Sequence, residues 1–82
     1  MQIYVGNLSY NTKQSQVQEL LNTIGEAHIT RWMCDKDDPT KSMGYCFAEM
    51  PDGLGIEAID MLNNTILDGR NVRISEARPR NY

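Results

Sequence analysis

Eighty-two residues, 40% hydrophobic and 23% charged, suit one small globular domain with a modest core and leave no length for a second. The net charge of −3 excludes avid, sequence-blind adhesion to nucleic acid, which depends on a strong basic field. No apolar run approaches the roughly 20 residues of a membrane span, and no basic leader opens the chain, so a soluble, cytoplasmic protein is expected.

Gln2 to Val5, carrying Ile3, Tyr4 and Val5 and running into Gly6-Asn7, reads as a first strand. Asn11 or Thr12 is placed to cap a helix in which Val17, Leu20, Leu21 and Ile24 recur at i, i+3, i+4 and i+7, with Gly25 as its stop. Residues 27 to 34 hold Ile29, Thr30, Trp32 and Met33 and predict a second strand, followed by a long hairpin loop through Asp-Pro-Thr. Gly44 to Met50, bounded by Pro51-Asp52-Gly53, is the most strand-like segment. Gly55, Ala58, Ile59 and Leu62 repeat the helical spacing, with small residues where the helix would approach a sheet, and Asn63-Asn64 closes it. A turn at Asp68-Gly69 leads to a last strand through Val72 and Ile74, and Pro79 prevents its continuation.

The order β-α-β-β-α-β predicts an α+β, ferredoxin-like sandwich, with two helices on one face of a four-stranded antiparallel sheet. If Ile3, Val5, Cys46, Ala48, Met50, Val72 and Ile74 turn towards the helices, then Tyr4, Tyr45 and Phe47 turn together to the open face. Three aromatics exposed side by side are not accounted for by folding alone. The charge is also uneven. From Gly69 onward Arg70, Arg73, Arg78 and Arg80 stand against the single acid Glu76, whereas Asp35, Asp37 and Asp38 cluster in the middle of the chain.

Two short segments resemble the signatures of the RNA recognition motif (RRM) family. Ile3-Tyr4-Val5-Gly6-Asn7-Leu8 fits the six-residue one, and Met43-Gly44-Tyr45-Cys46-Phe47-Ala48-Glu49-Met50 fits the eight-residue one with departures. The stretches Leu67 to Ile74 and Glu76 to Arg80 also look like that family's last strand, and small single-domain bacterial RRM proteins look most similar. The resemblance implies an RRM domain over residues 1–78, with a short tail at 79–82, that binds single-stranded RNA as a monomer. Single-stranded DNA and a protein are further candidate partners.

By the same resemblance Tyr4 and Tyr45 would each stack a base and Phe47 would pack against a sugar or between two nucleotides. Every base offers a π-face, and each such contact is worth roughly 1–3 kcal/mol. Micromolar, weakly sequence-selective binding is the expectation. Arg31 and Met33 on the second strand, with Arg73, Arg78 and Arg80 at the other end, are candidates for phosphate contacts and base packing, and Asn7, Ser75 and Ala77 for contacts through backbone groups. Met43 stands where the family usually has Lys or Arg, so that phosphate contact is either missing or delegated to Lys41. Cys46, Ala48 and Met50 depart from the family on the helix-facing side, where they record repacking rather than recognition, with Trp32 filling volume.

The rival reading is an RRM-like module that binds a peptide through its helices or its aromatic sheet. Catalysis is not expected: no acid/base pair, Gly-rich phosphate loop or activated nucleophile is legible. Cys34 and Cys46 are too few for a disulfide framework, and with His28 they lack zinc-ligand spacing, so no metal or other cofactor is expected. The two thiols could face one another across the hairpin, but inert, buried cysteines are the simpler expectation. His28 reads as a surface residue, and Glu19, Glu26 and Glu57 as members of polar helix faces.

Overall fold

The computed structural model describes residues 1–34, 37 and 42–77. Among these, strand β1 covers Gln2–Gly6, helix α1 Gln14–Asn22, β2 His28–Cys34 and β3 Ser42–Glu49; α2 covers Asp52–Leu62, β4 Ile66–Leu67, β5 Arg70–Asn71 and β6 Arg73–Glu76. The expected β-α-β-β-α-β order is present, with the ribbon β4–β5 inserted before the last strand. Asp68 and Gly69 cause it. Their φ values of 50° and 79° place both in the left-handed region that a two-residue hairpin turn requires, which closes Ile66 on Asn71 and Leu67 on Arg70.

The main sheet is antiparallel, in the order β2-β3-β1-β6. The strands carrying the two aromatic signatures are therefore the central ones. Tyr4 pairs with Phe47 and Val5 with Cys46 on one side of β1, and Tyr4 pairs with Ser75 and Val5 with Ile74 on the other. Strand alternation then sends Ile3, Val5, Cys46, Ala48 and Ile74 to the helix side, where all are buried together with Val17 and Leu21 of α1 and Ala58 and Leu62 of α2. A fully buried aliphatic side chain of this kind contributes about 1.5–3 kcal/mol. Trp32, Leu20, Ile24 and Ile59 pack around this cluster as partly buried members.

Helix α1 starts later than its sequence suggests. Lys13, rather than Asn11 or Thr12, is the N-cap, and its N–H is taken by the Gln16 side-chain oxygen at 2.7 Å. Thr12 is diverted because it is buried and donates its hydroxyl to Asp68 Oδ2 at 2.8 Å, while the Gln16 amide also reaches Asp68, at 3.1 and 3.2 Å. One carboxylate in the β4–β5 turn thereby anchors the start of α1. The helix ends at Asn22, with Thr23 as C-cap, so Glu26 lies in the connection to β2 and not on a helix face. It pairs there with exposed His28 at 3.4 Å.

The edge strand β6 is protected rather than left open. Asn63 Oδ1 accepts the Ile74 N–H at 2.9 Å, and Val72 exchanges hydrogen bonds with Asn64 and Thr65 just after α2. Cys46 is fully buried and faces Trp32 and Val5 across the sheet, whereas Cys34 pairs with Ser42, so the two cysteines are not opposed across the hairpin. Burial pushes the Cys46 thiol up to about 12. No helix among the described residues is long and apolar enough to cross a membrane.

Candidate nucleic-acid interface

The face of the sheet opposite the helices is built in rows across the strands. The middle row runs Arg31, Phe47, Tyr4 and Ser75; towards one end lie His28, Glu49 and Gln2, and towards the other lie Tyr45, Gly6 and Arg73. Tyr4, Tyr45 and Phe47 are each partly exposed and form a continuous triangle of rings. Their centroids are 6.1 Å apart for Tyr4–Tyr45, 5.8 Å for Tyr4–Phe47 and 6.0 Å for Tyr45–Phe47. The pairs are tilted or edge-on, the arrangements the ring quadrupole favours, so each ring braces the next. Gly6 makes the arrangement compatible with β1: the Tyr4 ring lies over it, and any Cβ at that position would collide with the ring.

Among the described residues, positive charge flanks the triangle on both sides. Arg73 pairs with Gly6 next to the Tyr4 ring, and Arg31 pairs with Phe47, both exposed; beyond Phe47 on β3 stands Glu49. Met33 follows Arg31 at the same strand parity and is half-buried. Ser75 is exposed beside Tyr4. Ala77 donates its N–H to the Gln2 carbonyl at 2.8 Å, which commits that donor to the sheet. Asn7 is likewise engaged: its amide donates to the Asn71 carbonyl at 2.7 Å, and its Oδ1 and carbonyl accept from Arg70 at 2.6 and 3.2 Å. Lys41, Arg78 and Arg80 lie outside the described residues.

Tyr10 and Arg70, which were not among the expected site residues, lie beside the aromatic surface. A cleft of about 380 Å³ opens beside Tyr4 and Tyr45, and its far walls are Ser9, Tyr10 and Arg70. Arg70 had been visible only as one charge of a C-terminal group; the β4–β5 ribbon folds it back onto Asn7. Tyr10 sits outside the strands, so alternation says nothing about it. Among the described residues no group of three or more His, Cys, Asp or Glu could hold a metal ion.

The sequence profile of the RNA recognition motif matches residues 3–73. The chain belongs to the RNA recognition motif family. Over 79 residues it is 35% identical to the 29 kDa chloroplastic ribonucleoprotein of Arabidopsis thaliana, a match that covers 95% of this chain and 23% of that protein. Over 73 residues it is 37% identical to nuclear cap-binding protein subunit 2 of Drosophila grimshawi, covering 88% of this chain and 47% of that one. This RRM chain thus spans between about a quarter and a half of such relatives, and their plant and animal sources lend no support to the bacterial affinity expected from the motifs.

Among solved structures, the RNA-binding protein PG1 is 31% identical with a TM-score of 0.85, covering 100% of this chain and 99% of that one. The Rna15 RRM with bound RNA (GU) superposes with the same TM-score of 0.85 at 23% identity, over 99% of this chain and 86% of that one, which establishes the shared fold. The expected ferredoxin-like sandwich is borne out by both.

Proposed function

We propose that this RRM binds single-stranded RNA, with bases stacked on Tyr4, Tyr45 and Phe47. The observation that carries the reading is the triangle of partly exposed rings, all within about 6 Å of one another, on the face that neither helix covers. Membership of the RRM family supports it, as do the ribonucleoprotein and cap-binding names of the relatives and the RNA held by the Rna15 RRM. Unpaired bases have accessible π-faces, whereas a duplex hides them, so single strands are the ligand this surface suits.

Arg31 and Arg73, set on either side of the rings, are assigned to phosphates, and Met33 and Ser75 to the nucleotide edges. Two or three stacked bases contribute ~2–9 kcal/mol gross, from which ordering a flexible strand subtracts, leaving affinity of about micromolar. Stacking tolerates any base, so selectivity is weak. The test is to follow backbone amide resonances while a randomised single-stranded RNA pool is added. Shifts centred on Tyr4, Tyr45, Phe47, Arg31 and Arg73 are expected. Shifts confined to α1 and α2 under a peptide library, with RNA producing none, would replace this reading with a peptide-binding one.

A further inference from the structure

The aromatic triangle does not account for the cleft beside it. The backbone turns at the same end of both central strands: Asn7, the residue after β1, has φ 58° and Gly44 in β3 has φ 93°, and the Leu8 N–H closes on the Gly44 carbonyl at 2.9 Å. Left-handed residues at the rim of a sheet redirect the chain that follows. Here the loop after β1 rises to form a wall carrying Tyr10, which is 68% exposed, and the β4–β5 ribbon forms a second wall carrying Arg70.

We infer that this cleft is a subsite for one further nucleotide of the bound strand, its base laid against Tyr10 and its phosphate held by Arg70. The inference deepens the proposed RNA binding and rests on it. The cleft's volume of about 380 Å³ lies in the lower part of the range for small-ligand sites, about 300–1,000 Å³. It is continuous with the platform, because Tyr4 and Tyr45 belong to both.

The walls are pre-organised. Ser9 holds the loop through its side-chain bond to the Asn11 N–H at 3.2 Å and its carbonyl bond to the Thr12 N–H at 3.1 Å, and Thr12 is itself tied to Asp68. Arg70 is steadied by its two bonds to Asn7, and its other N–H groups have no hydrogen-bond partner among the described residues. A guanidinium fixed in this way is suited to phosphate, with little ordering left to lose on binding. The charge layout selects the same end. Among the described residues two guanidiniums, Arg70 and Arg73, lie at the Tyr4–Tyr45 end against Arg31 beside Phe47, where the Glu49 carboxylate is already paired with the Met1 amino group at 3.3 Å, so a strand longer than the triangle is drawn towards Tyr10.

The test measures affinity of randomised single-stranded RNA pools, from trimers to hexamers, by fluorescence anisotropy. Tyr10→Ala should weaken hexamer binding about fivefold or more, the lower end of what one stacked base contributes, with trimers unaffected and the melting temperature unchanged; Tyr10→Phe should bind as wild type. Arg70→Gln should reduce the log–log salt slope by about 0.7, one phosphate contact on a single strand. If Phe47→Ala weakens hexamers while Tyr10→Ala does not, the subsite is refuted and the platform stands. Equal losses for trimers and hexamers in Tyr10→Ala would also refute it, because Tyr10 would then be part of the platform itself. If wild type binds none of the pools, both readings fall.

Discussion

Phe47 offers a direct test of the platform, because its ring braces both of the others and carries no hydroxyl. Its centroid lies 5.8 Å from that of Tyr4 and 6.0 Å from that of Tyr45, and it pairs in register with Tyr4 and Arg31. Phe47→Ala removes one stacking surface, worth ~1–3 kcal/mol, or about 5- to 150-fold in affinity for single-stranded RNA. It also removes two ring contacts of about 0.5–1.5 kcal/mol each, so stability should fall by roughly 1–3 kcal/mol. The two effects separate experimentally. Urea unfolding gives the stability change, and titration of RNA at a temperature where the variant is fully folded gives the affinity change. Phe47→Leu keeps apolar bulk but no π-face, and should recover part of the stability and little of the binding. A double-mutant cycle with Tyr4→Ala should show coupling in stability of about 0.5–1.5 kcal/mol, reflecting their ring contact. Folded Phe47→Ala protein with wild-type RNA affinity would refute base stacking on this face.

Other consequences are independent of that measurement. Asp68→Ala strands the hydroxyl of buried Thr12 and frees the Gln16 amide, and should destabilise the domain by about 1–3 kcal/mol in chemical denaturation. Gly6→Ala places a Cβ in the space of the Tyr4 ring; the ring can swing aside, so RNA affinity should drop severalfold with a smaller change in melting temperature, and an unchanged affinity would show that the ring's position is immaterial. Cys46, buried and raised from 9.0 to about 12, keeps its proton in the folded state after the unfolded thiol has lost its own. Its contribution is therefore fully present below pH 9 and is lost as pH rises towards 12, by up to about 1.4 kcal/mol per unit, a slope that Cys46→Val should remove. Native protein at neutral pH should correspondingly resist thiol reagents at Cys46, as mapped by mass spectrometry.

Alternation and helical spacing alone determined which side of β1 and β3 is core and which is open, whereas in β2 a register shift sets Ile29 opposite buried Ala48 and Arg31, of the same parity, opposite Phe47. Ile3, Val5, Cys46 and Ala48 are buried where parity put them, and Tyr4, Tyr45 and Phe47 share the other face, because strand side chains must alternate whatever the partner strand. The element order and the small residues of α2 were equally legible. Tertiary structure decided what depends on contacts between distant segments. Thr12 is a local cap by its position, but a carboxylate 56 residues away outcompetes the helix for its hydroxyl. Arg70 appears in the sequence as one charge among several; two left-handed residues at Asp68 and Gly69 fold it onto Asn7, 63 residues earlier in the chain. Tyr10 belongs to no periodic element, so only the shape of the loop, which turns at left-handed Asn7, sets it beside the platform. Short-range periodicity specifies faces, whereas a cleft forms where loops from separate parts of the chain converge.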